Sequence, residues 1–356
     1  MTDVLIVGAG PTGLTLACDL VRRGGVRVRV IDRRSAPHRE SRGKSLAPGS
    51  LEVFETLEVA GRMRATGSMG LVFRKYFDGE RIKDTPMDSP LFMGQWQIEE
   101  ILRGRLAESG VRVEYAAQVE AMEQDADGVR VALADGRTLR AAYLAGCDGG
   151  RSTVRGLLGI RFDGHTDGEQ AMVVADVSAA GLSRAYWHQW FTSDGGAVML
   201  CPLPGTPAFQ LQASPETNDG GERVAPSLES FQRIFDRHAR MPGIRLTEPT
   251  WLSTWRVNVR MADRIRRGRC FLAGDAAHVH PIAGGLGINA GVEDAAALGR
   301  ALAETLASRG GEHALEAYEA ERLPAAARLL ADTSARQERV RTAVQEPGRG
   351  VETGLT

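Results

Sequence analysis

The sequence has no excess of charge of either sign. Its 44 Lys and Arg residues are balanced by 45 Asp and Glu residues, which leaves a formal net charge of −1. This balance gives no reason to expect a nucleic acid or an anionic membrane as a partner. The sequence also has no run of about 18 apolar residues, so we expect no membrane-spanning helix.

Cysteine is scarce and follows no metal or redox pattern. The four cysteines form no C-x-x-C, and each lies in an apolar stretch: Cys18, Cys147, Cys201 and Cys270. This pattern favours buried free thiols over disulfides, metal ligands or nucleophiles, so we expect no metal site and a cytoplasmic location. Met1 leads directly into an apolar strand pattern, and no signal peptide is expected.

The N-terminal residues predict a βαβ unit. Residues 4–7 form a continuous apolar run, typical of a strand buried on both faces. Gly-Ala-Gly-Pro-Thr-Gly follows at residues 8–13, a helix is predicted over 14–23, and a second strand over 26–31. Strand, turn, helix and strand therefore occur in the order that a dinucleotide-binding unit requires.

Three glycines of this turn have separate tasks. Gly8 allows the tight turn out of the strand, Gly10 lets the backbone approach a pyrophosphate, and Gly13 lets helix and strand pack closely. Asp32 ends the second strand, where its carboxylate can accept a hydrogen bond from a ribose hydroxyl. The motif predicts an adenine dinucleotide and does not distinguish FAD from NAD.

A second glycine-rich segment lies far along the chain. An apolar strand pattern runs into Gly274 and Asp275, and a loop of residues 284–287 then leads into a helix near Gly287. Asp275 at a strand end can bind a polyol hydroxyl. The loop presents backbone N–H groups at a helix N-terminus, which favours negative charge such as that of a reduced isoalloxazine.

With this segment the chain resembles the group A flavoprotein aromatic hydroxylases, the p-hydroxybenzoate hydroxylase-like superfamily. It is most similar to the branch that acts on aromatic polyketides and related phenols. Three motifs match in order: the dinucleotide motif at 8–13, a DG motif at 147–155 containing Asp148, and a GD motif at 274–278 followed by Pro281. The resemblance extends over residues 3–340.

The resemblance implies a mixed α/β fold. It predicts a Rossmann-like FAD-binding domain with a parallel sheet, into which a mostly antiparallel β-sheet substrate domain is inserted. Helices are predicted over 50–66, 96–109, 227–240, 288–308 and 312–343, and β-rich runs over about 170–214. We assign 1–66, 96–165 and 256–345 to the FAD-binding domain, 67–95 and 166–255 to the substrate domain, and 346–356 to a frayed tail.

The resemblance also implies a set of FAD contacts. The segment at 41–44 resembles the part of the family that runs beside the flavin, and Gln95 begins a Q-x-x-x-E helix start. Arg42 and Lys44 are assigned to flavin or adenylate phosphate and Arg33 to adenine, with a solvated loop as the alternative. The full predicted set is Gly8, Gly10, Thr12, Gly13, Asp32, Arg33, Arg42, Lys44, Gln95, Val119, Asp148, Asp275, Gly287, Ile288 and Asn289.

The implied reaction is carried by the cofactor. NADPH (or NADH) would reduce FAD, O₂ would give a C4a-hydroperoxyflavin, and one oxygen atom would pass to an aromatic carbon. The protein would support it with a loop containing Pro281, Gly285 and Gly287, and needs no nucleophile or triad. His278 and His280 are expected to orient this loop, with an acid–base role as the alternative. The sequence has no second G-x-G-x-x-G, so NAD(P)H would dock transiently.

The substrate is expected between the flavin and the central sheet. Residues 186, 188 and 190 alternate with 187, 189 and 191, and one of these sets is expected to line the pocket, with core packing as the alternative. The predicted substrate contacts are Trp190, His188, Pro281 and Ile282. The substrate itself is an unidentified aromatic small molecule, and monomer and homodimer both stay open.

Other reactions fit the same scaffold. A Baeyer–Villiger or epoxidising monooxygenase and a flavin reductase are alternatives, whereas the Trp-x-Trp-x-Ile-Pro segment of flavin-dependent halogenases is missing. A non-catalytic, FAD-bound ligand-binding protein is the alternative from another class. Ile282 and Leu286 support it, because the family often has proline and a polar residue at these positions.

Overall fold

The protein is described from a computed structural model, which covers residues 2–87, 90–218, 220–281, 285–308 and 311–345. In chain order the strands are β1 (Thr2–Val7), β2 (Val28–Ile31), β3 (Ser45–Leu46), β4 (Val72–Phe77), β5 (Glu80–Pro86), β6 (Leu91–Phe92), β7 (Val113–Glu114), β8 (Val119–Gln124), β9 (Val129–Leu133), β10 (Thr138–Gly146), β11 (Phe162–Ala179), β12 (Tyr186–Phe191), β13 (Ala197–Pro202), β14 (Ala208–Ala213), β15 (Leu246–Ala262), β16 (Arg266–Arg267), β17 (Cys270–Leu272) and β18 (His278–Val279). The helices are α1 (Pro11–Arg23), α2 (Pro48–Thr56), α3 (Ala60–Thr66), α4 (Gln95–Glu108), α5 (Thr153–Leu157), α6 (Leu228–Ala239), α7 (Gly287–Ser308) and α8 (His313–Gln345).

The first sheet is the parallel sheet that the sequence predicts. Its order is β16-β17-β10-β1-β2-β7, and β17, β10, β1, β2 and β7 run parallel. Residues 4–7 of β1 are buried, because helices cover this sheet and α1 packs against both α4 and α7. The hydroxyl of Tyr318 on α8 donates to the Leu272 carbonyl at 2.7 Å and fixes α8 to β17. This half is the predicted Rossmann-like domain.

The second sheet is mostly antiparallel. Its order is β18-β15-β11-β14-β13-β12-β4-β5, and only the β12–β4 pair is parallel among the pairs that the structure describes. Helix α6 covers one face, where Phe231 and Phe235 pack with Val173, Ala175 and Val177 of β11. The alternate residues of each strand therefore form the opposite face, which contacts the first domain.

Two long strands connect the halves. β11 and β15 pair over almost their full lengths, and β18 from the GD segment pairs with β15. The domain boundaries predicted at 165/166 and 255/256 fall inside these strands, which continue across them. The predicted tail at 346–356 lies outside the described residues.

Local differences from the sequence prediction have simple causes. The helix predicted over 50–66 is two helices, α2 and α3, because Glu58 between them adopts a left-handed φ of 61°. The strands predicted over 138–140 and 143–147 are one strand, β10, whose first half pairs with β9 and whose second half pairs with β1.

Two further expectations concern the state of the cysteines and the presence of a membrane-spanning helix. All four cysteines are free and buried, which confirms the interpretation of their apolar contexts. Among the described residues, no helix is both long and apolar enough to cross a membrane.

The connection between the halves predicts a sensitive glycine. Gly164 of β11 has a φ of 129°, and a Cβ there would overlap the Val259 carbonyl of the paired strand β15. We expect Gly164→Ala to lower the free energy of unfolding by about 2 kcal/mol in denaturant titration, because strain and overlap add. Gly61→Ala on α3 is the control: its Cβ meets no atom within 4 Å, and it should be neutral or slightly stabilising. Equal stability of the two variants would contradict this reasoning.

Candidate active site

In the dinucleotide turn, packing requires glycine at two positions, Gly8 and Gly13, but not at Gly10. A Cβ at Gly8 would overlap the Cys147 carbonyl at the end of β10, and one at Gly13 would overlap the Gly8 carbonyl. Gly8 also has a φ of 107°, which other residues rarely adopt. A Cβ at Gly10, by contrast, meets no protein atom within 4 Å, although Gly10 is the N-cap of α1. Gly10 therefore leaves space at a helix N-terminus, where a pyrophosphate would lie.

Asp32 lies directly beside this turn. Its buried carboxylate accepts hydrogen bonds from the backbone N–H groups of Ala9 at 2.8 Å and Arg34 at 2.9 Å. The Asp32 carbonyl accepts from the N–H of Ala117, which brings the buried Val119 at the start of β8 close to the same corner. Arg33 is exposed. The predicted ribose and adenine contacts are thus grouped, and their roles toward FAD stay predictions.

Thr12 joins the first motif to the third. A Cβ at Gly274 would lie 2.5 Å from Thr12 Oγ1, and a Cβ at Gly291 on α7 would overlap the same atom. The first turn of α1, the 3-10 turn Gly274–Ala276 and helix α7 are therefore in close contact around Thr12. Asp275 in this turn is exposed. Its carboxylate is therefore open to a ligand.

The DG motif is held next to the dinucleotide turn, but its aspartate has partners of its own. The Cys147 N–H donates to the Val7 carbonyl at 2.8 Å, which places this motif beside β1. Asp148 accepts from the Ser152 hydroxyl at 2.5 Å and from the Thr153 N–H at 2.7 Å at the start of α5. Asp148 thus stabilises a helix N-terminus, and its predicted contact with FAD stays a prediction.

Asn289 fastens the predicted flavin segment to the start of α7. Its side-chain oxygen accepts from the Ala47 N–H and the Ser50 hydroxyl, both at 2.7 Å. Its amide donates to the carbonyls of Ser45 and Gly285, both at 3.2 Å. Because the side chain is fully used, only the backbone N–H of Asn289 could serve a cofactor, together with the other first-turn N–H groups of α7.

Gly43 lies between this helix start and Gln95. A Cβ at Gly43 would overlap the side chain of Ile288, so the backbone of the segment lies directly on α7. Gln95 accepts from the Gly43 N–H at 3.4 Å and donates to Glu99 at 2.9 Å, which uses both ends of the predicted Q-x-x-x-E pair. Arg42 is exposed and pairs with Glu40.

The side chain of Lys44 contacts the second sheet. The sequence assigns it to a phosphate of the cofactor, but its buried ammonium donates to Gln210 of β14 and lies 4.4 Å from the centre of the Trp187 ring. Lys44 therefore faces the second sheet, and its predicted contact with a cofactor phosphate stays a prediction. Sequence position alone gave no direction for a side chain on an irregular segment.

The structure buries the predicted substrate residues His188 and Trp190, which agrees with core packing, the alternative to their predicted role. Trp190 is fully buried with its ring 5.5 Å from that of Phe235 on α6, and His188 bonds Tyr76 at 3.0 Å. Both lie on the face that α6 covers, because the alternating set has to fill that core. Trp187 and Gln189 lie on the opposite face, toward Lys44. Pro281 is buried, and Ile282 lies outside the described residues.

A polar network that the sequence prediction missed holds the GD turn. Asp294 on α7 accepts from the Gly274 N–H at 2.9 Å, from His278 at 2.6 Å and from Arg322 on α8 at 2.8 Å. His278 also bonds His280 at 2.9 Å. Asp294 and Arg322 both stand within segments that carry the family resemblance, but no pattern of spacing links them.

The protonation of this network supports a structural role for its histidines. Burial lowers the pKa of His280 to about 3, so His280 is neutral near pH 7. Burial acts to raise the pKa of Asp294, but His278 and Arg322 outweigh it and hold that pKa below its ordinary value. The orienting role predicted for the histidines fits this arrangement better than acid–base catalysis.

The residues present fit FAD. Gly10 leaves space at the start of α1, the Asp275 carboxylate is open, and a Cβ at Gly287 would meet no atom within 4 Å at the start of α7. The contacts of Thr12 and Asn289 connect these three features. Pyrophosphate, ribitol and isoalloxazine would each meet the kind of group that binds them.

Comparisons with known proteins agree with this fit. Residues 1–333 match the FAD binding domain family. A flavin-dependent monooxygenase of Mycobacteroides abscessus is 40% identical over 349 residues, which cover 92% of this chain and 72% of the relative. The 6-methylpretetramide 4-monooxygenase of Streptomyces rimosus is 39% identical, over 93% of this chain and 61% of its own length. The crystal structure of aklavinone-11 hydroxylase with FAD and aklavinone superposes with a TM-score of 0.81 at 30% identity, over 94% of this chain and 68% of that one.

The open position at Gly10 predicts a cofactor-specific variant. Gly10→Val should leave the apoprotein stable, since no protein atom lies near the new side chain, and should abolish FAD binding by filling the space for the pyrophosphate. Flavin absorbance per mole of protein and the melting temperature of the apoprotein measure the two effects. Gly104→Ala on α4, which also meets no atom within 4 Å, is the control and should keep full FAD content. Normal FAD content in Gly10→Val would contradict the placement.

The Asp294 network predicts a pair of neighbouring variants with different effects. Asp294→Asn should lower the free energy of unfolding by about 3 kcal/mol, because it leaves buried His278 and Arg322 without their anion. Glu293→Gln removes a half-exposed partner of the same Arg322 and should cost less than about 1 kcal/mol. The folded-state pKa of Asp294 is depressed, so this contribution is present above about pH 4 and is lost as pH falls through that pKa. Denaturant titrations of both variants across pH measure it, and similar costs would refute the network.

Proposed function

Since this chain belongs to the FAD binding domain family and binds FAD, we propose that it is an NAD(P)H-using monooxygenase that hydroxylates an aromatic small molecule of phenolic or polyketide type. The proposal rests on the contact between two parts of the structure, which we call the two walls of the site. The first is the start of α7 with the predicted flavin segment, held by Asn289. The second is the polar face of the second sheet, which Lys44 and Ser41 of the same segment contact.

The two walls have the chemical character that the reaction needs. First-turn N–H groups of α7 would stabilise negative charge on the flavin ring, in a place that the burial of Pro281 and Asn289 keeps away from bulk water. The sheet supplies side-chain amides and a cation for orienting a polar aromatic molecule. When bound, FAD would supply the redox chemistry, with NAD(P)H as reductant and a C4a-hydroperoxyflavin formed from O₂ as oxygen donor.

The reductant and the cellular location are part of the same proposal. NAD(P)H would dock transiently, because the sequence has one G-x-G-x-x-G and FAD would occupy it. A reducing cytoplasm fits four buried free thiols, among which burial raises the pKa of Cys201 to about 11. Similar proteins named for anhydrotetracycline and aklavinone make aromatic polyketides the first class to test.

Product analysis tests this function. The FAD-loaded protein would be incubated with NADPH or NADH, ¹⁸O₂ and a panel of phenols and aromatic polyketides. We expect stimulated NAD(P)H oxidation and a product that gains one ¹⁸O atom on an aromatic carbon. Gly10→Val protein without FAD is the control and should give neither.

Each other outcome identifies a rival. An ¹⁸O atom inserted beside a ketone would indicate a Baeyer–Villiger enzyme, and one bridging a double bond would indicate an epoxidase. Hydride transfer without oxygen uptake would indicate a reductase. Full FAD content with no turnover of any compound would indicate a ligand-binding flavoprotein.

A further inference from the structure

Lys44 is a buried cation that forms no ion pair with any carboxylate of the described residues. It is one of three lysines among 44 basic residues, with Lys75 and Lys83, and its side chain is only 9% exposed. Within the part of the chain that the structure describes, no carboxylate forms an ion pair with it. Buried ammonium groups are costly unless they are paired, so this arrangement calls for a charge partner.

One carboxylate, that of Asp176, acts on Lys44 electrostatically but has hydrogen-bond partners of its own. Asp176 of β11 accepts from both the N–H and the hydroxyl of Ser41. Gln210 accepts from Lys44, while its amide donates to the Ser41 hydroxyl at 2.6 Å. An ammonium group has three N–H donors, so after Gln210 the lysine keeps donors for a further acceptor. Burial lowers the pKa of Lys44, and a bound anion would favour its charged form.

The sheet face that Lys44 contacts carries two buried polar groups without a hydrogen bond. The side-chain oxygen of Gln189 and the indole N–H of Trp187 are buried and have no hydrogen bond within the described residues. Gln189 is only 1% exposed. The same strand register that places His188 and Trp190 against α6 places Trp187 and Gln189 on the Lys44 side. Buried polar atoms without partners are rare, so these two atoms on the sheet face that Lys44 contacts indicate a polar ligand.

Lys44 also spans the two walls of the proposed active site. The residues on either side of it contact the start of α7: Gly43 lies on Ile288, and the Ser45 hydroxyl donates to the Gly285 carbonyl at 3.2 Å. The ammonium ends on the sheet at Gln210 and Trp187. A molecule bound between the flavin segment and the sheet would therefore meet this cation.

We propose that Lys44 is a substrate-recognition residue that pairs with an ionised oxygen of the aromatic substrate. The indole N–H of Trp187 would be a second donor to the substrate, and the side-chain oxygen of Gln189 would accept from another hydroxyl of the same molecule. The substrate class is then an acidic phenol or an enolised diketone, bound as its oxyanion. This inference rests on the proposed function, which places the substrate on this face. It predicts discrimination between an oxyanion and a neutral molecule of the same shape.

Binding to the oxidised, FAD-loaded enzyme tests it without turnover. The probes are 4-nitrophenol, at a pH where it is ionised, and its methyl ether 4-nitroanisole, with affinities from the flavin difference spectrum. We expect wild-type enzyme to bind the phenolate about tenfold or more tightly than the ether, as a charge-assisted hydrogen bond would give. Lys44→Met and Lys44→Gln should reduce that ratio to about one while ether affinity and FAD content stay unchanged. Lys83→Met removes an exposed lysine of β5 and should keep the wild-type ratio.

The outcomes separate this inference from the proposed function. An unchanged ratio in both Lys44 variants, or wild-type enzyme that binds the ether as tightly as the phenolate or binds no phenolate, would overturn the inference. Replacing an unpaired buried lysine by methionine should not impair folding, and the melting temperature checks this. A phenolate preference that depends on Lys44 in a protein that transfers no oxygen would support the inference and refute the proposed function. Oxygen transfer with unchanged ratios would do the reverse.

Discussion

The buried carboxylate of Asp294 is the interaction on which the rest of the site depends. One of its oxygens accepts from Gly274 and His278, and the other accepts from Arg322. Through these bonds one side chain of α7 fixes the GD turn, the strand β18 that enters the second sheet, and helix α8. Because Gly274 also packs on Thr12, the dinucleotide turn is held by the same centre. A carboxylate so deeply buried is stable only because each of its partners is present, which makes the arrangement all-or-none.

This centre explains how one chain can build two walls from distant segments. The parallel sheet ends at Gly8, Cys147 and the GD turn, so three motifs converge where α1 and α7 begin. The antiparallel sheet approaches from the other side along β11 and β15. The segment around residues 41–47 lies between them, fastened to α7 by Asn289 and to the sheet by Ser41. The protein therefore contributes position and charge, while the redox chemistry belongs to FAD.

The sequence predicted the features that depend on local geometry. It missed those that depend on the direction in which a side chain points. The turn at Gly8, the capped helix α6 and the paired sheets follow from spacing and period, and the parallel β17 follows from its continuous apolar run. Alternation in β12 showed that one set of residues shares a face but could not show which face α6 would cover. His188 and Trp190, predicted as substrate contacts, lie on the covered face. Strands β4 and β5 were not predicted, because charged residues fill a hairpin at the sheet edge. Asp294 and Arg322 interact only after α7 and α8 pack together.

The Lys44 side chain points toward the second sheet, and this changes the meaning of Leu286, a departure from the family pattern. Position 286 is apolar, whereas the family often has a polar residue there. From the sequence alone, this difference supported a flavin-binding protein without catalytic activity. The structure places a cation against the wall formed by the second sheet, together with two polar groups that have no hydrogen bond within the described ranges. With the apolar Leu286 on the predicted flavin side and Lys44 on the sheet side, an aromatic molecule with an ionised oxygen would bind with its oxygen toward the sheet and its carbon edge toward the flavin. Under this arrangement the polarity missing from the loop is supplied by the sheet, and the loss of a polar loop residue is compatible with an enzyme.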